Sequence, residues 1–332
     1  MATWSFETFA VVFFGSVIGT ALGCLWSVVL CALLIIVGIG VVTAGGSDFI
    51  LNQIALGPFF GPHLGGFLVP ILASAYSAGV RKNHPTGNGK DICSPLIATS
   101  WDVLVVGGLC GCVNWVIYNV IIMVPGLKEF DGMGLSIFAS CILARAIFTK
   151  EGPLGSKDSI REIGLLKTDN GRIAWQANQS TNFPRAMVFG GCCGGLFGAI
   201  AIKMIAALQP LVDSGMVEAG TIQSCAVLIG WACAIFSLLP AFFSNKNFAN
   251  VPSWHSQCSV PALVAVYTGS VVAAVIAGML MWLLQELCAR LFLNHASNSF
   301  CDPPATAIAF GTLGVNLLFK PEFLGLSNLF IK

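Results

Sequence analysis

The sequence predicts an all-α, polytopic membrane bundle of about nine transmembrane helices, in which two halves repeat one another upside down. Three observations carry this. Only 9% of the 332 residues are charged and 56% are hydrophobic, where soluble domains run at about 25% charged. The apolar residues fall in long blocks, and about 20 in a row suffice to cross a hydrocarbon core of about 30 Å. Matching Gly, Pro and His positions also recur in both parts of the chain. A net charge of +1 gives no basis for nucleic-acid binding.

Taken in order, the spans are 7–24, 27–43, 58–80, 101–124 and 132–149 in a first half, and 186–208, 220–243, 261–290 and 303–319 in a second. The first residues carry no Lys or Arg, so they lack the basic region of a secretory signal, and the first helix is expected to be retained. Residues 81–91 form a basic, turn-rich loop. A polar linker over 150–185 separates the halves, 1–149 and 186–332, with six basic residues against four acidic ones.

Lys and Arg in short flanking loops mark the cytoplasmic side of a membrane. Alternating spans put 81–91, 150–185, 244–250 and the tail with Lys320 and Lys332 on one face. Asp48, Lys128, Glu129, Asp131, Asp213, Glu218 and Asp302 fall on the other. The expectation is an inner (cytoplasmic) membrane protein with its N-terminus outside and its C-terminus inside.

Phe14, Gly15, Gly19 and Gly23 of the first span align with Phe189, Gly190, Gly194 and Gly198 of the sixth. Pro70 and Tyr76 align with Pro261 and Tyr267, and His63 and His255 each precede that Pro by a few residues. The first and sixth spans run in opposite directions, so the repeat is inverted. Glycine at four-residue spacing is also common wherever membrane helices pack closely. Inverted repeats with interrupted helices point to a transporter-type site near the bilayer midplane.

The stretch 52–66 is the sharpest interruption. It is apolar but holds Asn52, Gln53, two prolines, four glycines and His63. Broken backbone at membrane depth is tolerated only where protein or a water-filled cavity pairs its N–H and C=O groups. Pro58 and Pro62 suit first-turn positions, and a half-helix there aims its N–H groups and positive dipole end at a polar or anionic group. The alternative for His63 is a packing residue bonded to a freed carbonyl. The candidate substrate-binding residues are Asn52, Gln53, Pro62 and His63 in this break, His255 and Gln257 in the second, and Asp302 at the mouth of the last span. Asp302-Pro303-Pro304 also reads as an N-cap followed by first-turn prolines.

Ionisable residues near spans are few. Arg145 and Lys203 lie near span ends and can snorkel; Glu286 and Arg290 can pair at i, i+4. Most of the 13 cysteines lie in apolar blocks and read as small buried hydrophobes. His255, Cys258, His295 and Cys301 have the residue types of a zinc site, but no carboxylate backs the imidazoles, so no metal is expected. No phosphate-binding, metalloprotease or nucleophile-elbow motif occurs, and no catalytic residue or cofactor is expected.

Gly57-Pro58-Phe59-Phe60-Gly61-Pro62-His63, Asp102 through Gly108, and Ala289-Arg290-Leu291-Phe292 with His295 and Asp302-Pro303-Pro304-Ala305 together resemble a family of prokaryotic multi-pass membrane proteins without an established function. The resemblance implies a bacterial or archaeal cytoplasmic membrane and recurrent polar breaks; it implies no substrate. The functional expectation is a permease or channel for a small polar or monovalent solute, with the lipid bilayer and that solute as partners. One alternative is a structural protein that self-assembles, as a homo-oligomer or with a partner, through its glycine faces. Another is a metal or redox enzyme subunit using His63, His255 and Cys258.

Overall fold

In a computed structural model, residues 4–167, 183–242 and 252–320 are described. Positions 168–182 of the expected linker, Lys246, and the tail beyond Lys320 lie outside them. The described residues are all-helical with no strand. Six helices are long and apolar enough to cross a membrane.

Helix α1 (Phe6–Leu22) starts where the Ser5 side chain accepts the Thr8 N–H, with Glu7 in the first turn. Both features favour a helix N-terminus. Gly23 then reverses the chain into α2 (Cys24–Thr43) with φ of 85°. A side chain is excluded there twice over: the backbone is left-handed, and a Cβ would lie 2.7 Å from the Ser94 carbonyl oxygen.

After α2 a single π-helical turn, Ile50–Ala55, leads into irregular backbone over 56–67. Only from Leu68 does α3 (Leu68–Tyr76) form, continuing as a π-turn to Arg81. The expected third span over 58–80 is therefore half helix and half irregular chain. Much of the break pairs with itself: Leu64 N–H donates to Gly61 O, Gly66 N–H to Gly61 O and Leu68 N–H to Pro62 O. Helix α1 lies directly on this backbone. A Cβ at Gly19 would meet Gly65 O at 2.0 Å, and one at Gly15 would meet Phe59 O at 2.0 Å.

Helices α4 (Trp101–Met123) and α5 (Gly132–Ala144) follow, then a short α6 (Lys157–Ile163). Beyond it come α7 (Phe183–Asp213) and α8 (Ala219–Phe236). The eighth span, expected as one helix over 261–290, is instead two. Helix α9 (Ser256–Thr268) stops at Gly269 with φ of 63°, and the Ser270 side chain caps α10 (Val271–Cys288). The apolar run hides this reversal because only Thr268-Gly269-Ser270 marks it, between two strongly apolar stretches. The last helix is α11 (Pro303–Phe319).

Helix α1 packs on α3 and α4, and α7 packs on α9 and α10; α2 faces α8, and α5 faces α11. The loops collect at two ends. At one, Gly45 lies against Met216, and Lys320 pairs with Glu129. At the other, Gly79 lies against Phe148, Gly89 against Asn298 and Gly155 against His295; buried Lys90 marks this end. The extra reversal at Gly269 corrects the expected topology. Lys320 lies at the Glu129 end, not with the basic loops, so the first and last described residues share one end.

The glycine faces proposed as self-assembly surfaces point inward. Gly190 packs on Gly278 and Gly194 on Ala274, so they serve contacts within the chain. We expect Gly19→Ala to cost about 1–3 kcal/mol by overpacking. Gly40→Ala, with open space around it, should be neutral or slightly stabilising. Thermal unfolding of both variants in detergent distinguishes them, and equal midpoints would contradict the packing.

Candidate functional site

A cavity of about 450 Å³ opens where the two breaks meet the helices α2, α5, α8 and α11. Its wall is mostly apolar, with a few convergent polar groups, as is typical of small-solute sites. Pro62, His255 and Asp302 of the sequence candidates line it. The other four do not. Asn52 donates to Asp48 at 2.6 Å near the Glu129 end, and Gln53 is half-buried beside it. Gln257 is buried and donates to Gln285 Oε1 at 3.1 Å.

His63 is fully buried behind the wall. Its ring lies 4.3 Å from the Tyr118 ring and stacks 6.0 Å from Trp115, and neither ring nitrogen has a hydrogen-bond partner in the protein. Its carbonyl accepts the Asn114 side-chain amide at 2.5 Å. So it is the backbone of residue 63 that is anchored, by an amide from α4. The second break is held the same way: Gln285 of α10 donates to Ser253 O at 3.1 Å. His255 follows at the start of α9, its ring 6.0 Å edge-on from Trp231 and its Nδ1 buried without a partner.

Asp302 begins α11 by accepting the Ala305 N–H at 2.7 Å. Asp131, a residue the sequence reading left in a loop, begins α5 in the same way by accepting the Gly134 N–H at 2.6 Å. Both carboxylates line the cavity. The first turns of α5 and α11 meet, with Gly134 against Ala305 O, so the two caps lie near one another. The signal for Asp131 is an acid immediately before a span, as at Asp302. Asn114 and Gln285 are legible too, as amides inside apolar helices.

Beyond His255 and Asp302, toward the Lys90 end, a second void of about 20 Å³ is bounded by Phe67, Leu238 and Phe300. These buried side chains narrow the passage on that side. Arg145 stands behind them. It was expected to snorkel, yet it is fully buried and donates to Ser299 Oγ, Pro153 O and Phe292 O. Lys90, also buried, donates to Asn294 O at 3.3 Å. His295 contacts Ser159 Oγ and Leu165 O, well away from His255 in its bonding. Among the described residues no group of His, Cys, Asp and Glu is arranged to hold a metal.

The basic loop at the Lys90 end is tied by Asp91, which accepts from Ser94, the Cys93 N–H and Thr86. Burial pushes the Asp91 carboxyl up, but these donors outweigh it and hold it below its ordinary 3.8. The resulting stability is complete above that value and is lost as pH falls through the lower folded value. Partial burial keeps burial dominant at His84, whose imidazole is held below its usual 6.5.

A family model described as "Family of unknown function (DUF7973)" matches residues 1–159. No curated protein and no solved structure matches the chain.

We expect Asp302→Ala to destabilise by about 0.5–2 kcal/mol through loss of the cap, and Asp302→Asn to leave stability unchanged. Thermal melts of the two variants check this. Proteolysis within 84–94 should rise on acidification below pH 3.8 and, in Asp91→Ala, be fast already at neutral pH; a loop equally protected in the variant would refute the tie.

Proposed function

We propose that the protein is a membrane permease for a small polar or monovalent solute, built from two inverted five-helix halves around the cavity. The carrying observation is the cavity itself, walled by both breaks and by both Asp-capped helices. The pairing of helices supports the inversion. Helices α1, α3 and α4 pack together as α7, α9 and α10 do, with α5 and α11 each joined to the fourth helix of its half. Each half secures its break with one amide, and each starts its fifth helix with an aspartate. The family match over 1–159 spans α1 to α5, one such half.

The cavity runs from the Asp302 level toward Asp131, Ile122 and Thr312 at the Glu129 end. At the other end Phe67, Leu238 and Phe300 close it. This is the shape of one state of an alternating-access carrier, open to one side of its site and narrowed on the other. The cluster of Lys and Arg at the Lys90 end supports a cytoplasmic side there under the charge rule. The self-assembly reading loses support because its glycine faces are occupied within the chain.

Reconstitution into liposomes tests the proposal. His255→Ala should reduce solute flux by about tenfold or more, for loss of an aligned polar group in the site. Phe300→Ala should instead raise uncoupled leak by opening the constriction. Unchanged flux in both variants would sink the permease reading.

A further inference from the structure

We infer that the solute is a small organic monocation, an ammonium group carried on an apolar body, held between Asp131 and Asp302. This inference rests on the permease reading and narrows its solute class. Both carboxylates face the cavity, and neither is paired with a basic side chain among the described residues. No Lys or Arg is among the cavity's described lining residues. The acidic residues do not stand alone: His255, more than nine-tenths buried, lines the same space, and its buried Nδ1 has no hydrogen-bond partner.

The helix N-termini would otherwise attract an anion. Here each one already donates an N–H to an aspartate oxygen, and an ionised carboxylate there outweighs a dipole end of about half a charge. A bare metal ion fits poorly, because it needs several oxygens converging at short range. Among the described residues no group of three or more His, Cys, Asp and Glu side chains is gathered to supply them. The wall between them is apolar and aromatic, with Tyr118, Trp231 and Tyr267 presented to the space. Aromatic faces attract cations and tolerate an apolar body. Entry from the Glu129 end would also run down the electrical gradient if that end faces outward.

The test uses the whole protein in lipid nanodiscs, with 2-phenylethylammonium, 2-phenylethanol and phenylacetate as probes of equal size and different charge. Calorimetry should give binding of the ammonium at least about tenfold tighter than the alcohol, with none for phenylacetate. Asp131→Asn and Asp302→Asn keep the caps, so both variants should melt as the parent does. Each should weaken the ammonium about tenfold and leave the alcohol unchanged. Equal binding of ammonium and alcohol, a preference that survives both substitutions, or displacement by equimolar potassium would overturn the inference. Liposome flux separates the two levels. Ammonium binding without ammonium flux would remove the permease reading and leave the cation site standing. Flux of a neutral solute with no ammonium binding would do the reverse.

Discussion

An unpaired peptide group in apolar surroundings costs several kcal/mol, and this chain carries non-helical backbone at 56–67 and 252–255 against its packed helices. The structure follows from how those groups are paired. Asn114 meets the carbonyl of His63 and Gln285 that of Ser253. Asp131 and Asp302 take N–H groups at the starts of α5 and α11. Glycines in α1 let its backbone lie on the first break without a Cβ between them. The polar residues of the interior are therefore mostly fasteners of the chain. The surplus groups, carboxylate edges and a histidine nitrogen, are what the cavity has left to offer a solute.

A second layer of fastening sits at the Lys90 end. Residues 290–299 pass there between α10 and α11, stitched on every side. Arg145 and Lys90 grip their backbone and side-chain oxygens, Glu151 accepts the Ser297 N–H, and Arg290 reaches Leu166 O while paired to Glu286. Hydrogen bonds from a buried charged donor contribute about 1.5–3 kcal/mol each, so this strap is firmly placed. Asp302 and Phe300 come directly after it. Their position at the floor of the cavity is thus set by cations that never touch the cavity.

Much of this was legible in the sequence and some was not. Block hydropathy gives the helical membrane bundle, because burial in lipid demands length and little else. Proline and glycine crowding gave the break at 56–67, and His255 and Asp302 were singled out by their polar context. The hairpin at Gly269 was missed because hydropathy averages over two residues and a short helix hides in a long apolar run; that omission carried the last helix to the wrong face. His63 drew attention by its chemical type, yet its side chain packs against Trp115 and Tyr118 while its carbonyl does the fastening. Side-chain direction is a tertiary fact that residue type does not encode. Asp131 was overlooked for the opposite reason, an ordinary loop acid whose neighbour in space is 171 residues away in sequence.

The bonds of Arg145 also bear on the order in which the molecule is made. A ribosome delivers α5 long before it delivers the acceptors at Phe292 and Ser299. During that interval a guanidinium destined for a dry interior has only the Pro153 carbonyl among its final partners, and the first five helices lack the two acceptors that hold its other nitrogens. It must stay near water or the translocation machinery until the far end of the chain arrives. The two halves mirror each other in form, but in time the first waits on the second, and a chain stalled between them would present an unsatisfied cation as a mark of incompleteness.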